Sequence, residues 1–162
     1  MTKQLHKILV ANRGEIARRV IRTAHSMGIL TVAVYSDPDG AAVFVRDADQ
    51  AVGLVGSTSA DTYLRVDKIL DAAAATGADA VHPGYGFLAE NAGFASAVLR
   101  AGLTWIGPPP QAIALMGDKL TALDTVQQAG VPTLPRADVS GLTGTELADA
   151  AASIGDPVVV KP

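Results

Sequence analysis

The stretch HPGYGFLAEN, residues 82–91, carries the residue types in this chain that are best suited to binding a ligand. Pro83 stiffens the backbone, and Gly84 and Gly86 permit positive φ angles or the close approach of another group. Tyr85 lies between the two glycines, so its ring is free to project into a cleft and to lie against a flat ligand. We therefore predict that Tyr85 contacts a ligand.

The other side chains of this stretch divide between packing and binding. Phe87 and Leu88 are apolar and are predicted to pack in the protein interior, whereas Glu90 is interpreted as a second functional residue. His82 ends a predicted buried strand. A hydrogen bond to a backbone carbonyl group explains it more simply than catalysis does, and both roles stay open.

A second polar segment, Asn12-Arg13-Gly14-Glu15, follows the first predicted strand. It has one glycine where the dinucleotide-binding motif G-x-G-x-x-G has three, so the backbone cradle for a pyrophosphate is missing. Asp37 ends the second strand, where a ribose-binding acid is expected, but one matching residue is weak support. Nicotinamide or flavin binding is therefore disfavoured. Arg13 and Glu15 fit a ligand role and a plain role in the turn and the first helical turn equally well.

Hydrophobic periodicity predicts the elements that position these residues. Short apolar runs alternate with amphipathic helical segments up to residue 107, which is typical of an α/β unit with a parallel sheet. Ligands of such sheets bind beyond the carboxyl ends of the strands, so the segments after the first and fourth strands are candidate binding positions. The predicted strands are residues 7–12, 30–36, 51–55, 79–82 and 103–107, and the predicted helices are residues 15–27, 63–76 (with Leu64 facing inward) and 91–100.

The pattern changes after residue 107. Helical segments at 111–116, 118–129 and 143–154 follow one another without a strand between them, and residues 156–162 are typical of a strand. We interpret residues 1–110 as a Rossmann-like domain and residues 111–162 as the opening of a second domain whose first strand is cut short.

Composition excludes several classes of protein. A formal net charge of −3 and an aromatic content of 4% argue against a nucleic-acid partner. The chain has no cysteine, which excludes disulfides and iron–sulfur clusters, and its three histidines lack the spacing of a metal site. No apolar run is long enough to span a bilayer or to form a secretory signal, so we expect a cytoplasmic protein without a membrane partner.

Four motifs in register resemble the biotin carboxylase family. The resemblance covers essentially the whole chain. The chain is most similar to the biotin carboxylase part of the α chain of acyl-CoA carboxylases of fatty acid metabolism, and pyruvate carboxylase shares the same N-terminal segment. It implies a Rossmann-like N-terminal domain followed by the start of an ATP-grasp module. The motifs are VANRGEIARRVIRTA (10–24), HPGYGFLAEN (82–91), IGPPPQAIALMGDK (106–119) and PVVVKP (157–162).

The resemblance also implies an activity. In this family ATP and Mg²⁺ activate bicarbonate, and the carboxyl group passes to biotin on a carrier domain. A carboxyltransferase then selects the acceptor, and the carboxylase is a homodimer. The family's bicarbonate-binding, catalytic and metal-binding groups correspond to positions beyond residue 162, so we expect the chain alone to be inactive. The alternative is a stand-alone Rossmann-like module that binds a nucleotide without turnover.

Six residues take roles from the resemblance. It implies that the ammonium groups of Lys119 in MGDK and Lys161 in VVVKP approach the ATP phosphates. It also implies that Tyr85 and Gly86 in HPGYGFLAEN line the biotin pocket. Arg19 and Arg22 match positions near the homodimer interface, although a solvated helix face explains them equally well. Phe44 stands where many relatives carry a histidine, and we interpret it as surface variation.

Overall fold

Five parallel strands form the sheet of this protein, in the order β3-β2-β1-β4-β5. The structure, a computed structural model, describes residues 4–160. The chain adds β2 and β3 on one side of β1 and then places β4 and β5 on its other side, which is the Rossmann-like topology. The predicted α/β fold is therefore confirmed. The strands are β1 (Lys7–Val10), β2 (Leu30–Tyr35), β3 (Gln50–Gly53), β4 (Ala80–His82) and β5 (Thr104–Trp105).

Helices cover both faces of the sheet because the inner strands are apolar on both faces. In β1, Ile8 and Val10 pack in one core cluster, and Leu9 between them packs in the other. The first cluster includes the buried face of α1 and the second includes those of α3 and α4. The helices are α1 (Gly14–Ser26), α2 (Val43–Asp47), α3 (Val66–Thr76) and α4 (Ala92–Arg100).

The structure contains one helix that was not predicted, and it differs from two local expectations. The short helix α2 was not predicted, since five residues are too few to show helical periodicity. Its Phe44 is 2% exposed and packs with the α1 cluster, so the interpretation of Phe44 as surface variation is wrong. Helix α3 begins at Val66 instead of residue 63, and Leu64, in the turn before it, is exposed.

The second compact unit begins at Leu115 and is helical. Helix α6 begins where the Asp118 carboxylate accepts a hydrogen bond from Thr121 N at 2.7 Å. Residues 157–160 do not form the strand expected there, and they pair with none of the five strands in the described part of the chain. The division at residue 110 stays a prediction. The helices are α5 (Pro110–Gly117), α6 (Lys119–Gln128) and α7 (Thr145–Ile154).

Between residues 4 and 160, no helix has both the length and the apolar character needed to cross a membrane.

Candidate functional site

The candidate site lies where the strand order reverses, at the carboxyl ends of β1 and β4. These two strands are neighbours, and Ala11 N donates a hydrogen bond to His82 O at 2.9 Å just beyond the paired residues. From this edge the chain turns into α1 after β1 and into HPGYGFLAEN after β4. Ligands of open α/β sheets bind at such reversal points. The two polar segments singled out in the sequence therefore meet at the place where this fold binds ligands.

Asn12 joins the two segments. Its side-chain Nδ2 donates one hydrogen bond to Pro83 O and another to Tyr85 O, each 2.8 Å long, and its Oδ1 accepts from Arg13 N at 2.9 Å. The residue is 2% exposed, so water does not compete for these bonds. Sequence reasoning missed Asn12. The available signal was an asparagine placed directly after a buried apolar strand, where a polar side chain needs partners.

Gly84 is the glycine that the close packing requires. Its φ is +66°, and a Cβ atom at this position would lie 2.7 Å from Asn12 Nδ2. Gly86 also has a positive φ, of +68°, but no atom lies within 4 Å of the place its Cβ would occupy. Gly84 is thus needed for space and backbone conformation, whereas Gly86 is needed for backbone conformation and leaves open space beside Tyr85.

His82 ends β4 and turns back onto its own loop. Its Nδ1 accepts a hydrogen bond from Gly84 N at 3.0 Å, so a neutral ring carries its proton on Nε2. Burial lowers the pKa of His82, which favours the neutral form. The expected partner, a backbone carbonyl group, is replaced by a backbone N–H group.

Tyr85 projects from the loop as predicted, and its side chain is held at the hydroxyl end. The residue is 60% exposed. Its hydroxyl hydrogen-bonds the carboxylate of Glu15 in the first turn of α1, which raises the pKa of Tyr85 and keeps the hydroxyl protonated. Glu15 therefore has a defined partner at the site. Glu90 is exposed, and within residues 4–160 its side chain makes no hydrogen bond or ion pair.

A buried carboxylate, Asp39, supports the other side of the loop. It accepts bonds from Arg13 Nε at 2.6 Å and Nη2 at 2.5 Å, from Tyr63 Oη at 2.5 Å and from Ser36 Oγ at 3.1 Å. The bonds from Arg13 lower the pKa of Asp39 to about 2. The Tyr63 ring stacks on Phe87, with ring centroids 5.2 Å apart. The cluster therefore contacts the loop at Phe87, and the charge of Arg13 is paired with Asp39 inside the protein.

The predicted packing of Leu88 is confirmed by its 5% exposure. The acid noted in the sequence at the end of β2, Asp37, has a local partner, since its Oδ2 accepts from Gly56 N at 3.0 Å. Asp39, two residues later, was missed although it is the carboxylate at the centre of the cluster.

The polar face of α1 carries Arg19 and Arg22. Both are exposed, and within residues 4–160 neither forms an ion pair, whereas the neighbouring Arg18 pairs with Asp47 at 2.5 Å. These arginines line a shallow depression of about 500 Å³ together with Glu15. Their expected place in a subunit interface stays a prediction.

The two predicted phosphate-binding lysines lie elsewhere in the chain. Lys119 is the first residue of α6 in the second unit, and it is exposed. Lys161 lies outside the described residues. Among residues 4–160, no group of three or more His, Asp or Glu side chains is arranged to hold a metal ion.

Comparisons with known proteins show which family the chain resembles in sequence. Residues 4–113 match the family model "Biotin carboxylase, N-terminal domain". The biotin-dependent acyl-coenzyme A carboxylase alpha3 subunit of Mycobacterium leprae is 51% identical over 99% of this chain and 27% of that subunit. The biotin carboxylase of Halalkalibacterium halodurans is 46% identical over 96% of this chain and 34% of that protein.

A solved structure has the same fold. The biotin carboxylase domain dimer of the Hydrogenobacter thermophilus 2-oxoglutarate carboxylase, in complex with MgADP, ADP and bicarbonate, matches with a TM-score of 0.86 and 45% identity. The match covers 96% of this chain and 34% of that one. The chain thus spans roughly a quarter to a third of the length of these relatives. On sequence and fold together, the chain belongs to the family of biotin carboxylase N-terminal domains.

Proposed function

We propose that this chain supplies the N-terminal part of an ATP-dependent biotin carboxylase, and that its HPGYGFLAEN loop forms one wall of the biotin site. The observation that carries the proposal is the exposed Tyr85 ring beside the open space at Gly86, on a loop anchored at the reversal point of the sheet. Family membership and the acyl-coenzyme A carboxylase relative support the same reaction.

The residues present fit a flat bicyclic ligand. A tyrosine ring offers apolar area with little rotamer entropy to lose, and the missing side chain at Gly86 lets a ligand approach the ring. Glu15 holds the hydroxyl end of Tyr85, so the ring has a fixed direction. Bound biotin would supply the nitrogen that accepts the carboxyl group, and Tyr85 would orient biotin without entering the chemistry.

Lys119 and Lys161 are proposed to bind the phosphates of ATP in an ATP-grasp module. An ammonium group is a compact point charge suited to phosphate oxygens, and Lys119 is exposed at the start of a helix. We propose that the groups binding bicarbonate and Mg²⁺ come from parts of the enzyme other than residues 4–160.

The assembly proposed for the enzyme is a cytoplasmic homodimer that works with a biotin carrier domain and a carboxyltransferase. Arg19 and Arg22 support the dimer, because two arginines near one another on an exposed helix face can each form paired hydrogen bonds with acids of a second subunit. The absence of cysteine suits a reducing compartment.

The Michaelis constant for free biotin tests the placement of Tyr85. In the complete product of the gene, Tyr85→Ala should raise this KM by about tenfold or more, which corresponds to the loss of about 1.4 kcal/mol or more of contact with the ring. ATP hydrolysis without biotin should persist. Tyr85→Phe is the matched control, because it keeps the ring and removes only the hydroxyl group that Glu15 holds; its KM should therefore rise less than that of Tyr85→Ala.

Two results would contradict this placement. An unchanged KM in Tyr85→Ala would mean that the ring does not contact biotin. Loss of biotin-independent ATP hydrolysis in Tyr85→Ala would place the loop on the nucleotide side. Binding of ATP by the wild-type product with no biotin-stimulated turnover would favour the alternative, a nucleotide-binding module.

A further inference from the structure

We propose that Asn12 is the positioning residue for Tyr85: its buried amide group fixes the backbone on both sides of Tyr85 and so sets the direction of the ring toward biotin. The identity of the ligand rests on the function proposed above. The anchoring itself rests on the two hydrogen bonds that the Asn12 side chain donates to the loop.

The two acceptors of Asn12 enclose the residue to be positioned. Pro83 O lies before Gly84 along the chain, and Tyr85 O lies after the Cα atom of Tyr85. The backbone torsions of Gly84 and Tyr85 therefore lie between two carbonyl oxygens that Asn12 holds. With both ends held by one side chain at 2.8 Å, the backbone at Tyr85 has little freedom to rotate.

An asparagine amide matches the three groups around it. Two carbonyl oxygens require two donors, and Arg13 N requires an acceptor, which together use both N–H groups and the oxygen of Asn12. An aspartate has the same shape and keeps the acceptor, but it presents an oxygen to two carbonyl oxygens. An alanine leaves the carbonyl groups without partners in a site that is 2% exposed at Asn12.

Gly84 and Asn12 depend on each other. The absence of a side chain at Gly84 leaves the room that Asn12 Nδ2 occupies, since a Cβ atom there would lie only 2.7 Å away. The loop also has an independent attachment, the stack of Phe87 on Tyr63. Removing the Asn12 donors should therefore loosen the loop at Tyr85 without detaching it from the domain.

The first test observes Tyr85 directly in this chain. Labelling with 3-fluorotyrosine gives one ¹⁹F resonance for each of the three tyrosines, and Tyr85→Phe identifies the resonance of Tyr85. Both Asn12→Asp and Asn12→Ala should shift this resonance and narrow it, while that of Tyr35 stays in place. An unchanged Tyr85 resonance in both variants would overturn the proposal.

Thr31→Val is the matched control. Thr31 is fully buried near the amino end of β2, away from the carboxyl ends of the strands where the site lies, and its hydroxyl donates to Asp49 at 2.9 Å. Like the Asn12 variants it removes a buried polar contact from the same unit, but it does not touch the loop. It should leave the ¹⁹F resonance of Tyr85 where it is.

The second test measures kinetics in the complete gene product. Both Asn12 variants should raise the KM for free biotin by about tenfold, while kcat at saturating biotin changes by less than about threefold. Thr31→Val should leave the KM unchanged. A merely structural role would lower the amount of active enzyme, and so kcat, without this change in KM. That result, or an unchanged KM in the Asn12 variants, would overturn the positioning role.

The two tests distinguish an error in the proposed function from an error in the role of Asn12. A wild-type product that does not carboxylate biotin would refute both the function and positioning toward biotin, whereas the ¹⁹F measurement would still show whether Asn12 holds Tyr85. Normal wild-type carboxylation with an unchanged KM in both Asn12 variants would refute the role of Asn12 alone.

Discussion

Replacing Asp39 with asparagine removes the negative charge at the centre of the cluster that contacts the HPGYGFLAEN loop at Phe87. Asp39 is 8% exposed and takes hydrogen bonds from Arg13, Tyr63 and Ser36. Asp39→Asn keeps the size of the side chain but removes the ion pair with Arg13. We expect it to lower the free energy of unfolding of this chain at neutral pH.

The size of the effect follows from the pKa. Arg13 lowers the pKa of Asp39 from 3.8 to about 2. Each unit by which the pKa is lowered corresponds to about 1.36 kcal/mol, so the ionised carboxylate stabilises the folded state by at most about 2.4 kcal/mol at pH 7. The Arg13 side chain is 47% exposed, and solvent screening reduces this figure.

The pH dependence has a definite sign. Because folding depresses the pKa of Asp39, the stabilisation is complete above about pH 4 and is lost as the pH falls towards 2. The difference in unfolding free energy between wild type and Asp39→Asn should be largest at pH 5–7, about half of that at pH 3, and small near pH 2. Other acidic groups titrate in both proteins and cancel in the difference.

Urea titrations followed by the fluorescence of Trp105 measure this difference. Trp105 is the one tryptophan of the chain and is 8% exposed in the same unit. Asp67→Asn is the matched control, because Asp67 also pairs with an arginine, Arg65, but on the surface, with its side chain 57% exposed. Asp67→Asn should change the stability little. A wild-type-minus-Asp39→Asn difference that stays constant from pH 6 to pH 2 would refute the role given to the ionised carboxylate.

Two further predictions concern ATP and assembly. Lys119→Ala in the complete gene product should weaken the apparent affinity for ATP by about tenfold or more, because a charge-assisted contact to phosphate is worth about 1.5–3 kcal/mol; unchanged ATP kinetics would remove Lys119 from the site. Charge reversal of both Arg19 and Arg22 to glutamate should shift the complete product toward monomer in sedimentation velocity. An unaltered dimer would show that both are ordinary solvated charges.

Local sequence patterns were sufficient for most of the first unit. The apolar runs of β1 and β2 predicted two of the strands, and the predicted helix of residues 91–100 corresponds to α4. Asn91 caps this helix, since its Oδ1 accepts a hydrogen bond from Phe94 N at 2.9 Å. The start of α3 was misplaced because Tyr63 looks helical by spacing, yet its ring and hydroxyl serve the Asp39 cluster. The order of the strands required the structure, since no local pattern records which strands are neighbours.

The residues of the candidate site also fall into two groups, those that the sequence pattern indicated and those that it did not. Tyr85 and its flanking glycines could be selected as candidates because unusual composition within ten residues is visible in the sequence. Asn12 was missed because its partners are 71 and 73 residues away. Asp39 was missed because its importance depends on Arg13 and Tyr63, 26 and 24 residues away. A local pattern can show that a buried polar side chain needs partners, but it does not show which distant residues those partners are.

Incorporation of labelled bicarbonate into free biotin tests the central claim most directly. With ATP and Mg²⁺, the complete gene product should form acid-labile carboxybiotin, and omission of either ATP or biotin should abolish the product. The chain of residues 1–162 alone should form none. ATP binding by the complete product without any labelled carboxybiotin would contradict the assignment of biotin carboxylase activity, and carboxybiotin formed by residues 1–162 alone would contradict the claim that other parts of the enzyme complete the site.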